Sequence, residues 1–170
     1  MENVEKDSKN PEISVVVPIH NEQESILELL SRLREVLEKL CDREGFASDD
    51  FEIIMVDDGS NDNSWQLIQQ THKKDSRIKG LQFSRNFGHH YALTAGLDFC
   101  KGNSVVLMDG DLQDPPELIP ELISCWRQGA NVVRAQRRSR KETGIRRIGF
   151  DIFHKLFTLI TDFPVPPNAG

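Results

Sequence analysis

Short apolar runs alternate along the chain with longer stretches in which apolar residues recur every three or four positions. βα units and a mostly parallel sheet produce this alternation, because strands buried on both faces read as continuous apolar runs and covering helices read as stripes. ISVVVPI, Ile13–Ile19, predicts the first strand. Asn21 is placed to cap a helix whose apolar positions Ile26, Leu29, Leu30, Leu33, Val36, Leu37 and Leu40 share one face. FEIIMV (51–56) predicts a second strand, DDGSNDNS a turn into a helix carrying Trp65, Leu67 and Ile68, and 78–83 a third, weaker strand. A helix over 91–99, a strand over 104–108, a helix opened by Pro115 and Pro116 that runs to Arg127, and a fifth strand over 131–135 complete the pattern. The expected fold is α/β, a single Rossmann-like domain whose mostly parallel sheet is flanked by helices.

Composition sets outer bounds. A chain of 170 residues with 38% hydrophobic content supports one core. The net charge of -6 argues against a general polyanion binder, so no nucleic acid is expected as a partner. Cys41, Cys100 and Cys125 are far apart and lack CxxC spacing, which suggests neither a disulfide framework nor a zinc site. The N-terminal MENVEKDSKNPE has no apolar h-region, and no run of 18 apolar residues occurs. Oligomeric state leaves no mark in the sequence.

The last third changes character. RAQRRSRKETGIRR sets Arg134, Arg137, Arg138, Arg140, Lys141, Arg146 and Arg147 against the one acid Glu142. After it, Ile145, Ile148, Ile152, Leu156, Leu159 and Phe163 keep helical spacing, and Phe150, Phe153 and Phe157 widen the apolar face. A core helix is the first reading and an interfacial helix lying on a membrane the second.

Candidate chemistry sits where strands stop. Asp57 and Asp58 end the second strand, Asp109 and Asp111 the fourth, and the C-terminal ends of parallel strands form the crevice where open α/β sheets bind ligands. Residues two apart on extended backbone point the same way, so Asp109 and Asp111 can face one ligand, with Gly110 leaving room for close approach. Hard oxygen donors without neighbouring His or Cys suit Mg²⁺ or Mn²⁺ shared with substrate phosphates. For DDGSND, a solvated turn whose side chains cap the next helix accounts for the acids equally well. An EF-hand begun at Asp58 fails, since Asn63 stands where Gly is needed and Gln69 where the bidentate Glu belongs. His89 and His90 receive no catalytic role, because a lone histidine is more often a structural donor.

SVVVPIHNE, EIIMVDDGSNDNS, FSRNFGHHYALTAGLD, VVLMDGDLQDPPELIPELI and VVRAQRRSR, in this order, resemble the family 2 glycosyltransferases of the GT-A fold. The resemblance is nearer still to the polyprenyl-phosphate sugar transferases, which include dolichol-phosphate mannose synthase and bactoprenol glucosyltransferases. It implies that Pro18, His20, Asn21 and Glu22, with Asp57 and Asp58, hold the nucleoside of a nucleotide-sugar donor, and that Asn86 and Gly88 lie beside them. Asp109 and Asp111 match the DxD pair, with Asp111 the more direct ligand of Mg²⁺ or Mn²⁺; Gly110 lies between them and Gln113 reaches metal or diphosphate. Arg137 matches an arginine that meets phosphate between donor and acceptor, and Arg146 or Arg147 is a second such residue. The family often has an aromatic residue where His20 stands, and frequently Lys-Glu in place of His89 and His90.

The function so implied is an inverting, metal-dependent hexosyl transfer to a polyprenyl phosphate at the cytoplasmic face of a membrane, from a UDP-sugar in preference to a GDP-sugar. The expected layout is an N-terminal tail over 1–11, the catalytic domain over 12–143, and over 144–170 an amphipathic helix that begins an acceptor-side region. VPPNAG resembles the start of a motif that relatives continue, with membrane helices, so the chain is expected to be part of a longer membrane-associated protein. A transferase of the same fold acting on a saccharide hydroxyl and a non-catalytic nucleotide-binding fragment are the alternatives. A phosphoacceptor receiver domain has no place for DxDLQDPPE or the late arginines.

Overall fold

β1 (Ile13–Ile19) and β2 (Phe51–Asp57) are buried along their whole length, as their uninterrupted apolar runs require. The structure, a computed structural model of the chain, describes residues 10–135. β1 pairs in parallel with β2 on one side and with β4 (Ser104–Leu107) on the other, and β2 pairs in parallel with β3 (Ile78–Gln82). The order is therefore β3-β2-β1-β4. The chain steps outward from β1 to β3 and then returns to the far side of β1, which makes the gap between the ends of β1 and β4 the switch point of the sheet.

Side chains of successive β1 residues alternate between two layers. Ile13, Val15, Val17 and Ile19 face a core shared with α1 (Ile26–Glu44), α2 (Ser64–Lys74) and α4 (Ile119–Arg127), whereas Val16, with Ile54 and Val56, faces α3 (His89–Phe99). α1 buries Ile26, Leu29, Leu30, Leu33, Leu37 and Leu40, the stripe foreseen from the sequence. Burying each such leucine contributes about 1.5–3 kcal/mol relative to leaving it in water. α1 stops at Gly45, whose left-handed φ of 73° lets its N–H bond back to Cys41 O.

Three expectations change. α1 is preceded by Ser25, not capped by Asn21, which instead takes a left-handed φ of 58° in the turn after β1. The proline-opened segment begins as a single 3-10 turn, Pro116–Leu118, before α4 proper. Residues 131–135 form no strand, and Val132 is 89% exposed. Val132 and Val133 have strand propensity but no ladder partner, for β4 is the edge of the sheet among the described residues. The amphipathic stretch after Ile145 lies outside the described residues. The chain divides into two units, Met1–Val133 and Arg134–Gly170, and every element above belongs to the first.

At the end of the sheet opposite the switch point, Glu52 is 2% exposed yet accepts hydrogen bonds from Ser14 Oγ at 2.6 Å, Lys101 N at 2.7 Å and Lys79 Nζ at 2.5 Å. Burial pushes its carboxyl pKa up, but the bonds from Lys79, Ser14 and Lys101 outweigh that and hold it below the ordinary carboxylate value.

Candidate active site at the β1–β4 switch point

The turns after β1 and β2 are laced to each other by side chains. Asn21 N donates to Ser60 Oγ, Asn61 N to Asn21 Oδ1, Glu22 N to Ser64 Oγ and Gln23 N to Asp62 Oδ2, all between 2.8 and 3.1 Å. Asp62 also accepts from Ser64 N at 2.9 Å. Partial burial raises its pKa, and the bonds from Ser64 and Gln23 more than offset this and keep it low. The polar run DDGSNDNS is thus largely occupied in holding the two turns together, while α2 itself starts after Asn63 without a cap bond from that side chain.

Asp57 and Asp58 act on the backbone. Asp57 is fully buried, its carboxylate accepting Ser60 N at 3.2 Å and Gln82 Nε2 at 3.3 Å. Asp58 is 3% exposed and accepts Phe87 N at 2.7 Å on one oxygen and Gly88 N at 2.9 Å on the other. Its own N–H donates to Ile19 O at 2.8 Å, and its carbonyl lies 2.9 Å from His20 Nδ1. A carbonyl only accepts, so the His20 proton sits on Nδ1 and Nε2 accepts from Asn21 Nδ2 at 3.2 Å and Asn86 Nδ2 at 3.1 Å. One residue, Asp58, therefore joins the end of β1 to the SRNFG loop. Gly59 makes the approach possible, since at its φ of 65° a Cβ would lie 2.3 Å from Arg85 C and 2.5 Å from Asn86 N.

From Ser104 to Asp111 buried and exposed residues strictly alternate, so the side-chain parity of β4 carries on past its last ladder residue. Asp109 and Asp111 consequently open to the same side. Gly110 between them is buried, and its missing Cβ makes room for Ile19 Cδ1 (2.6 Å from an ideal Cβ) and Pro18 O (3.1 Å). The space expected there for a ligand is thus used by the end of β1. Ser25 Oγ lies 2.9 Å from Gly110 O, and Arg32 makes two bonds to Glu117, at 3.0 and 2.7 Å, so α1 braces the turn and the 3-10 segment behind it. Asp111 Oδ1 accepts Gln113 N at 3.0 Å.

These turns enclose an open crevice of about 350 Å³, lined by Pro18, Ile19, His20, Glu22, Asp58, Asn86, Gly88, His89, Asp109, Gly110 and Asp111. The structure thus gathers most of the residues singled out in the sequence. Asn21 and Asp57 stand behind the lining as supports, Gln113 contributes its backbone to the turn, and Arg137, Arg146 and Arg147 lie outside the described residues. A second concavity, of about 360 Å³ beside α1, has its cations paired: Arg32 with Glu117, Lys39 with Glu35, Arg43 with Glu44.

Among the described residues no three His, Cys, Asp or Glu side chains are placed to enclose an ion. Two exposed carboxylates at a crevice rim are the donor set on which Mg²⁺ or Mn²⁺ relies when substrate oxygens and water complete its shell, so these residues fit such an ion. Asp109, Asp111 and, from its position in the turn, Gln113 are the groups that could hold it.

Residues 14–168 match the family model described as glycosyl transferase family 2. The chain belongs to glycosyl transferase family 2. It is 40% identical over 164 residues to an uncharacterized glycosyltransferase of Bacillus subtilis, YkcC, covering 96% of this chain and 49% of the relative. It is 38% identical over 144 residues to the undecaprenyl-phosphate 4-deoxy-4-formamido-L-arabinose transferase of Aeromonas hydrophila, covering 84% of this chain and 42% of the relative. The chain thus spans about half the length of the curated relatives it matches.

Solved structures share the fold. A mannosyltransferase of Pyrobaculum calidifontis, in complex with GDP-Man and Mn²⁺, superposes with a TM-score of 0.58 at 20% identity over 76% of this chain and 37% of that one. S. aureus TarS in complex with UDP gives 0.55 at 23% identity over 78% and 40%. The architecture is that of the GT-A glycosyltransferases. In this family 2 chain, sequence reasoning gave His89 no catalytic role; the structure puts it on the crevice wall with its Nε2 3.6 Å from Asp109 Oδ1. Its only sequence signal was its place at the first position of α3, directly after the SRNFG loop.

Proposed function

We propose that the chain carries the donor half of an inverting glycosyltransferase that moves a sugar from a nucleoside-diphosphate donor, a UDP-sugar before a GDP-sugar, to a polyprenyl phosphate. The observation that carries this reading is the opening of Asp109 and Asp111 onto the same crevice as the β1 turn and the SRNFG loop, in a family 2 chain. The acceptor is supported by relatives named for transfer to undecaprenyl phosphate. The donor is supported by fold neighbours solved with UDP, UDP-GlcNAc or GDP-Man with Mn²⁺. Such an acceptor places the enzyme at a membrane surface, on its cytoplasmic face where sugar nucleotides are made. No helix among the described residues is long and apolar enough to cross a membrane.

The nucleoside lies against Pro18, His20, Glu22 and Asp58, a wall supported from behind by Asn21 and Asp57; Asn86 and Gly88 continue the lining beside His20. His20, with its ring nitrogens committed, presents a fixed edge rather than an acid or base. When bound, a Mg²⁺ or Mn²⁺ at Asp109 and Asp111, with Gln113, supplies positive charge to the departing diphosphate. The acceptor phosphate oxygen, already anionic, forms its bond to the anomeric carbon as the carbon–oxygen bond to the diphosphate breaks. The protein therefore needs no general base, and its work is positioning and charge neutralisation. Arg137, with Arg146 or Arg147, meets the phosphates with a planar fork suited to their oxygens.

Asp111→Ala tests the reading. It should abolish Mn²⁺-dependent sugar transfer to polyprenyl phosphate and leave thermal unfolding unchanged, because Asp111 is exposed and the bond it accepts from Gln113 N is local. Undiminished transfer in that variant would sink the assignment. Calorimetry with UDP and GDP, with and without Mn²⁺, reports donor binding separately from turnover. An acceptor screen distinguishes a lipid phosphate from a saccharide hydroxyl, which would demand a general base.

A further inference from the structure

His89 stands at the start of α3 and lines the crevice, while Asp109 closes the same crevice from the end of β4. Their side chains are 49% and 55% exposed, and His89 Nε2 lies 3.6 Å from Asp109 Oδ1. That separation is too long for a hydrogen bond. It lies in ion-pair range and near the spacing of two ligands on one octahedral cation: with metal–ligand bonds of about 2.1 Å, two ligands at a right angle lie about 3.0 Å apart, so a closure of about 0.6 Å would set both on one ion. The other histidine of the crevice cannot play this part, because His20 Nδ1 faces Asp58 O and Nε2 already accepts two amides.

We propose that His89 Nε2 is a direct ligand of the dication in the donor site, shared with Asp109, and that it tilts the site toward Mn²⁺ and other first-row cations over Mg²⁺. The inference rests on the reading of the crevice as a metal–diphosphate site. The affinity of a site that contains nitrogen rises along the first-row series that Mn²⁺ begins, whereas Mg²⁺ keeps to carboxylate, phosphate and water oxygens. A site with only Asp109 and Asp111 has no reason to prefer one of these hard ions. Adding one nitrogen beside Asp109 and Asp111 supplies the preference. Ring stacking supports the placement: His90 meets the His89 ring edge-on at a centroid distance of 5.8 Å, limiting the rotations open to it.

The test reads the metal directly. Mn²⁺ is titrated into the 170-residue chain, alone and with inorganic pyrophosphate, and unbound Mn²⁺ is followed by electron paramagnetic resonance. Pulsed spectra of the bound ion should show nitrogen-14 modulation in the native protein and in His90→Ala, and none in His89→Ala. His89→Ala should also weaken Mn²⁺ about tenfold or more, the usual scale for losing a group that fixes a metal site. Mg²⁺, measured by competition, should move less than twofold under the same comparison, a difference that follows from its oxygen preference. If Asp109→Asn lowers Mn²⁺ affinity but the native spectrum shows no nitrogen modulation, the ion is held by oxygens alone and the role of His89 is refuted while the metal site stands. If neither Asp109→Asn nor Asp111→Asn alters Mn²⁺ binding, the metal site and the role of His89 fall together.

Discussion

Asp58→Asn separates a residue that shapes the crevice from one that touches the ligand. The carboxylate is 3% exposed and each of its oxygens accepts one backbone N–H of the SRNFG loop, at 2.7 and 2.9 Å. Asparagine keeps the size of the side chain but replaces one oxygen with an amide that must face an N–H. One charge-assisted bond is lost, the other becomes neutral, and one backbone donor is left without its acceptor; together these cost about 2–3 kcal/mol. For a chain of this size that corresponds to a fall in Tm of about 4–12 °C. Differential scanning calorimetry, paired with UDP titration, checks it: both stability and UDP affinity should drop, because Asn86 and Gly88 lose their fixed position. In Asp111→Ala, by contrast, Tm should hold while Mn²⁺-dependent UDP binding falls. An Asp58→Asn variant as stable as the native protein but unable to bind UDP would refute the supporting role and make Asp58 a direct ligand contact.

Three further substitutions read the architecture. Gly59→Ala and Gly45→Ala both force alanine into left-handed backbone, at φ of 65° and 73°, at a common cost of about 1–2 kcal/mol. Only the Gly59 Cβ meets other atoms, so Gly59→Ala should lose clearly more in urea midpoint, and equal losses would disprove the close approach of the two loops. Glu52→Gln probes the buried carboxylate at the other end of the sheet. Because the folded pKa lies below the ordinary glutamate value of 4.5, the ionised group adds stability above that pH and loses it as pH falls through the lower folded value. Native protein should be more stable than Glu52→Gln at pH 7, with the gap narrowing below pH 4.5; a gap independent of pH would contradict the network.

The sheet was legible because periodicity carries burial: ISVVVPI and FEIIMV are buried on both faces, and the α1 stripe matches its buried side except that Val36 is only partly buried and Cys41 is buried as well. The 131–135 segment was misread because VV reports propensity, whereas a strand exists only with a partner ladder. Asn21 was misread for a related reason. It is a good cap in isolation, but Ser60 and Asn61 from the turn after β2 hold it in left-handed backbone, and that turn is brought there only by the pairing of β1 with β2.

The four strand-end acids show most clearly where sequence stops. By residue type Asp57, Asp58, Asp109 and Asp111 are equivalent, and each pair follows a strand. Their strands differ: β2 is interior, so the turn after it is covered by the turn after β1 and by the SRNFG loop, and its acids are consumed by backbone N–H groups. β4 ends beside the switch point, with nothing among the described residues closing over Asp109 and Asp111, so these acids stay open. Strand order therefore decides which acids are buried in holding the turns and which stay open at the crevice. Strand order is also what places the first residue of α3 across from the end of β4, and hence His89 against Asp109, a pairing that no local motif encodes.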